Sequence, residues 1–182
     1  MRRIFWFLNK FFMVPIFRLG LGSIFGNPFT GYIMVLKVIG RKTGKLRYAP
    51  VNYAIFDGRV YCVAGFRQAS DWYRNLRARP AIEVILPGGS LAGTCTEITD
   101  PAFRVTAIRK IFRNAGFAGF FEGFNPFRIS DEELARKTAD IPLICIQPTG
   151  LGSGAFDAGG WAWIWTTVSL VALILVLWLV FR

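Results

Sequence analysis

The octapeptide GRKTGKLR, residues 40–47, sets four cations, Arg41, Lys42, Lys45 and Arg47, into one short stretch between apolar runs. Gly40 and Gly44 permit a tight turn in which backbone N–H groups converge, and Thr43 adds a hydroxyl. Such a stretch suits a phosphate or a carboxylate. A helix expected to open after Ser70, with sequence DWYRNLRA, would offer its unpaired N–H groups to the same kind of ligand. The same charges equally suit a solvated basic hairpin facing anionic lipid, and charge alone does not separate the two readings.

Other chemistry is limited by what the chain lacks. Its 182 residues include no histidine, which excludes His-based triads, His general bases and the common zinc ligand sets, and no metal site is expected. Cys62, Cys95 and Cys145 stand alone inside apolar runs without a Cys-x-x-Cys spacing, so they read as buried thiols in a reducing compartment. Tyr53 and Tyr73 are either proton donors or core tyrosines with satisfied hydroxyls, and no catalytic residue is identified. The formal charge of +11 does not imply nucleic-acid binding, because Lys and Arg are spread along the chain and no recognition motif is present.

The elements that would position these residues follow from hydrophobic patterning. Apolar runs at YIMVLKVI, YAPVNYAIF, VYCVAG, AIEVIL, LAGTCTEIT and IPLICIQ predict six strands, with hairpins at Asp57-Gly58 and Pro87-Gly88-Gly89. Ser70 is the expected N-cap of the DWYRNLRA helix, which Pro80 ends. A second helix is expected over 101–114 with Ile108, Ile111 and Phe112 on one side, and a third at SDEELARKTAD behind a capping box of Ser130 and Glu133. With no strand–crossover–strand repeat, the pattern favours a small antiparallel barrel with flanking helices over a doubly wound sheet.

The ends of the chain point to lipid. Trp161 to Phe181 carries no charge and would reach about 31 Å as a helix, near the hydrocarbon thickness of a bilayer. Trp161, Trp163, Trp165 and Trp178 cluster toward its two ends, as interfacial aromatics do. A C-terminal transmembrane helix is therefore expected. All but one of the 22 Lys and Arg precede it, which places the N-terminal domain on the cytoplasmic side of the cell membrane as a single-pass protein. Near the start, Arg2, Arg3, Asn9 and Lys10 share one helical arc opposite Ile4, Phe5, Leu8, Phe11 and Phe12, so this segment reads as an interfacial helix or as a helix covering the core. It resembles a twin-arginine signal only superficially, because Asn9 and Lys10 interrupt the apolar run and no cleavage site follows. The expected organisation is an amphipathic segment over 1–31, a barrel over 32–148, a Gly-rich linker over 149–160 and the span over 161–181.

GRKTGKLRYAPVNYAIFDGRVYCVAG, DWYRNLRARP and IPLICIQP, in that order and at those separations, together resemble the deazaflavin-dependent nitroreductase family over Tyr32 to Pro148. The resemblance implies a six-stranded split β-barrel of the pyridoxamine-phosphate-oxidase type. It also implies coenzyme F420, a deazaflavin with a phosphodiester and an acidic tail, and hydride transfer to quinones or nitro compounds. By the same resemblance Arg41, Lys42, Thr43, Gly44, Arg47, Pro50, Gly65, Arg67 and Trp72 would hold the cofactor. Two departures stand out. Family members carry Ala-Ser-Lys-Gly-Gly after the third strand, where this chain reads VAGFRQASDW with Gly65, so a hydroxyl near the redox ring is missing. Where relatives place tyrosines over the substrate, GFAGFFEGF offers Phe117, Phe120, Phe121 and Phe124, a lining suited to a lipophilic ligand or to core packing. The expected function is a membrane-tethered deazaflavin-dependent oxidoreductase with a quinone acceptor. The alternatives are a non-catalytic accessory subunit of a membrane complex and a barrel holding FMN or haem.

Overall fold

The computed structural model describes residues 7–24, 26–154 and 162–181, with the side chains at 24, 121, 122 and 162–166 outside that description. Six antiparallel strands close a barrel in the order β1 (Ile33–Ile39), β2 (Leu46–Phe56), β3 (Arg59–Val63), β6 (Leu143–Leu151), β5 (Gly89–Ile98), β4 (Ala81–Leu86), with β4 returning to β1. The barrel expected from the patterning is thus present. Asp57 and Gly58 both adopt positive φ, at 47° and 71°, which matches the twist of the flanking strands and gives a two-residue hairpin closing Phe56 opposite Arg59. Leu86 opposite Gly89 closes the second hairpin.

Alternation along β1 divides the packing between two faces. Met34, Leu36 and Val38 enter the barrel with Val60, Cys62, Val84, Cys95, Ile144 and Ile146. Ile33 and Val35 face outward against Phe17 of α1 (Val14–Arg18) and Ile85. One end of the interior is plugged by Tyr73 and Leu76 of α2 (Asp71–Ala78). Outside β2, β3 and β6, α3 (Pro101–Asn114) lays Ala107, Ile108, Ile111 and Phe112 on Ala54, Tyr61, Leu143 and Cys145. Asp100 starts α3 by accepting from the Phe103 N–H at 2.7 Å. Ser130 caps α4 (Asp131–Lys137) through the Glu133 N–H at 3.2 Å, as its capping box predicts.

Two expectations are corrected. Residues 149–151, read as the start of a linker, continue β6, because Gly93 lets the Gln147–Pro148 backbone approach. A Cβ at Gly93 would lie 2.8 Å from the Gln147 oxygen. A register shift beside Gly93 accommodates Pro148, which has no N–H to donate. Beyond Leu151 the chain stays beside the start of β5, with the Gly152 N–H on the Ser90 carbonyl and the Gly154 N–H on the Ser90 hydroxyl.

The second correction concerns the expected membrane span. Ala162–Val180 is helical, here α5, and its described side chains from Val168 to Phe181 are exposed and mostly large and apolar. Among the described residues, however, no helix is long and apolar enough to cross a membrane. The three tryptophans at 161, 163 and 165 that would complete the span fall outside the described side chains. Likewise Arg2, Arg3, Ile4 and Phe5 of the N-terminal segment lie outside the described residues, while Asn9–Met13 forms a π-helical turn with Phe7, Leu8, Phe11 and Phe12 exposed.

Candidate cofactor site

The six residues between Ile39 and Leu46 form the expected tight turn. The Gly44 N–H donates to the Gly40 carbonyl at 2.8 Å, and the Gly40 N–H to the Lys45 carbonyl at 2.9 Å. Gly44 takes φ +65°, which glycine adopts without steric cost. Lys42, Thr43, Gly44, Lys45 and Arg47 are exposed on this turn and the strand that leaves it.

Arg41 has a different position from its neighbours. Its N–H donates to Asn75 Oδ1 at 3.1 Å, its guanidinium reaches the same oxygen at 3.0 Å, and it pairs with Asp71 at 3.3 Å. Asn75 is buried on α2, so Arg41 fastens the cationic turn to that helix. The turn and the α2 N-terminus, brought together on paper only by their shared taste for anions, are adjacent in the fold.

At that N-terminus, Ser70 sits in the N-cap position with extended backbone but makes no capping bond. Its residue is 6% exposed, and its Oγ is buried without a hydrogen-bond partner. A buried hydroxyl left unpaired costs about 1–3 kcal/mol, so this oxygen is suited to a polar group that the chain alone does not supply. Sequence reasoning assigned Ser70 only a capping role. The signal was its position at the start of a helix, but not the missing bond.

The remaining residues singled out from sequence are distributed unevenly. Trp72, in the first turn of α2, packs with Ala49, Val51 and Tyr53 against the barrel interior. Arg47 shares the face of β2 that carries those three residues, whereas Pro50 lies on the opposite face, which also carries Tyr48. Gly65 is half-buried after β3, and Arg67, at φ +54°, forms an exposed ion pair with Asp140. Tyr73 is a core residue: its hydroxyl donates to Glu97 at 2.8 Å, and burial, reinforced by that bond, raises its pKa. Burial likewise raises Tyr53. All three cysteines are free and buried, and burial carries Cys95 up to about 12 and Cys62 well above its usual value, so neither offers a thiolate.

The aromatic group divides. Phe117 and Phe120 are exposed, Phe124 turns inward to meet Phe112 edge-on at 5.2 Å, and the side chain of Phe121 is outside the description. These residues lie near Tyr32, at the opposite end of β1 from the turn, about 20 Å away at roughly 3.3 Å per residue. Two clefts of about 230 Å³ each are lined by other residues, one between Phe17 and Pro87 and one between Pro101 and Thr138. Among the described residues no group of His, Cys, Asp and Glu could hold a metal.

Residues 16–115 match the sequence family described as F420H(2)-dependent quinone reductase, more than half of the chain. The protein belongs to that family. The matched segment runs from α1 through β5 and α3, so it contains the cationic turn, Ser70 and α2. No curated protein matches significantly. A conserved hypothetical protein from Mycobacterium tuberculosis aligns at a TM-score of 0.50 and 17% identity, over 70% of this chain and 78% of its own, and supports the fold. Lower scores are found for an F420 reductase (0.45, 20% identity, 71% and 94% coverage) and a putative pyridoxamine 5′-phosphate oxidase from Listeria innocua (0.46, 12%, 66% and 86%). The family description points to an oxidoreductase and to coenzyme F420. The residues fit such an anionic cofactor: an orphaned buried hydroxyl at a helix N-terminus without a side-chain cap lies beside an exposed cationic turn.

Proposed function

We propose that the protein is a membrane-tethered, deazaflavin-dependent reductase that delivers hydride to a lipophilic acceptor of the quinone class. The observation that carries this reading is the unpartnered Ser70 hydroxyl at the N-terminus of α2, with the cationic turn held next to it by Arg41. Lys42, Thr43, Gly44 and Arg47 would hold the anionic part of the cofactor, with Arg41 positioning the turn and Trp72 the start of the helix. Coenzyme F420, when bound, supplies the hydride chemistry. The chain's own tasks are to bind, to orient and to exclude water, and none requires histidine.

The membrane part of the reading is supported by α5, whose described side chains are exposed and mostly large and apolar, a surface that calls for cover from water. With most Lys and Arg ahead of that helix, the barrel would lie on the cytoplasmic side. A lipid-dissolved acceptor would then reach the barrel at high local concentration. A second reading, an accessory subunit without redox activity, is favoured by Gly65 at the position where a ring-contacting hydroxyl is expected.

The test is a spectroscopic titration of the full chain in mild detergent with F420, comparing wild type with K42A and R47A. Each substitution removes a charge-assisted contact of about 1.5–3 kcal/mol, so affinity falls about tenfold or more per residue. No F420 binding by the wild type overturns the redox reading, and unchanged affinity in both variants overturns this placement of the cofactor.

A further inference from the structure

The turn at residues 27–31 is rigid: Asn27 Oδ1 accepts from the N–H groups of Phe29 and Thr30 at 3.0 and 2.9 Å, and the Gly31 N–H returns to the Asn27 carbonyl at 2.8 Å. Yet Phe29, which it displays, is 80% exposed. The backbone of Phe29 is held from the other side as well. Gly116 approaches so closely that a Cβ there would lie 2.3 Å from the Phe29 carbonyl oxygen, and the Phe117 N–H donates to that oxygen at 3.3 Å. Gly116 opens a 3₁₀ segment, Gly116–Glu122, in which side chains three apart eclipse, so Phe117 and Phe120 project on one side. They are 56% and 49% exposed, and Phe120 stacks on Phe127, itself 57% exposed, with ring centroids 6.4 Å apart.

Cations border these rings. The Arg113 guanidinium lies 5.6 Å from the centre of the Phe127 ring and donates to the Pro126 carbonyl at 3.2 Å, which holds the ring in place. Lys110, one turn earlier on α3, and Arg128, next to Phe127, are exposed. Asp131, the acid that follows, is engaged by Arg109.

We propose that this aromatic face, Phe29, Phe117, Phe120 and Phe127 bordered by Lys110, Arg113 and Arg128, is where the barrel rests on an anionic bilayer. Phenylalanine rings insert as an apolar surface at the boundary between headgroups and acyl chains, and cations around them meet lipid phosphates; a protein partner with an apolar surface would not call for the surrounding positive charge. The inference rests on the membrane-tethered reading above and adds the face of the barrel that meets lipid. It does not depend on the cofactor.

The experiment uses the full chain reconstituted into vesicles of phosphatidylcholine with and without phosphatidylglycerol. A polarity-sensitive fluorophore is attached at Phe120→Cys and, as a control, at the exposed Thr94→Cys on β5; the three native cysteines are buried. Lipid-borne nitroxide should quench the label at 120 several-fold more than the label at 94. R113E together with R128E should reduce that difference on phosphatidylglycerol vesicles while flotation with the vesicles persists. A chain that floats with both labels equally quenched overturns this face alone. Shielding of the label at 120 in detergent without lipid assigns the face to a second copy and also overturns it. A chain that does not float overturns the membrane reading and this inference together.

Discussion

Ser70 and Arg41 show how single residues acquire roles that their types do not announce. A serine at an N-cap ordinarily accepts from the amide two or three residues on, and replacing it by alanine costs about 1 kcal/mol. Ser70 makes no such bond, and its oxygen is buried without another. S70A therefore removes an unpaired polar atom and should leave the urea midpoint unchanged or slightly raised, while F420 affinity falls about fivefold or more. Loss of stability with unchanged affinity would return Ser70 to an ordinary structural role. Arg41 was legible as a cation but not as a fastener, because its partners, Asp71 and Asn75, are about 30 residues away in sequence and meet it only once the barrel closes.

At the scale of elements, the six strands and three barrel-associated helices were readable because period-two and helical patterns coincide with turn residues at each boundary. Less readable was the path of the chain after β6. There Lys37, buried on the outer face of β1, donates to Glu83 at 2.8 Å and to Ser153 at 2.7 Å, while the Ser153 hydroxyl donates to Glu83 at 2.7 Å. A lysine within an apolar strand signals a partner but does not name it. The hydrogen bond from Lys37, followed by those from Ser153, lowers the Glu83 pKa despite partial desolvation. A folded pKa below the unfolded one contributes stability in full above the ordinary glutamate value, about 4.3, and loses it as pH falls through the folded value. E83Q should thus cost about 2 kcal/mol near neutrality, judged by denaturant unfolding in detergent, because it leaves Lys37 buried without its counter-charge. The gap from wild type should close below about pH 4. A gap that stays constant down to pH 3 would show that the carboxylate charge is not what the clasp uses.

For the whole molecule, the barrel and the C-terminal helix raise separate questions. The helix was plain in the sequence; what surrounds it was not, since an uncharged run specifies an apolar surface and not what covers it. At about 1.5 Å per residue, the 19 residues of α5 reach about 28 Å, and among the described residues no helix is long and apolar enough to cross a membrane. The clasp gives a natural place to separate the two parts. A chain ending at Gly154 keeps Ser153 and every pair of β6 with β5, whereas one ending at Pro148 loses Ser153 and the pairs of Gly150 and Leu151. The longer truncate should unfold at the same urea concentration as the barrel of the full chain, and the shorter one should be weaker by about 2 kcal/mol. If α5 is the tether, both truncates leave the carbonate-resistant membrane fraction that holds the full chain, because exposed aromatics such as Phe11 and Phe120 give only reversible surface binding. A truncate ending at Gly154 that still resists carbonate extraction would assign the anchor to the N-terminal aromatic segment instead, and α5 would then need a protein partner to cover it.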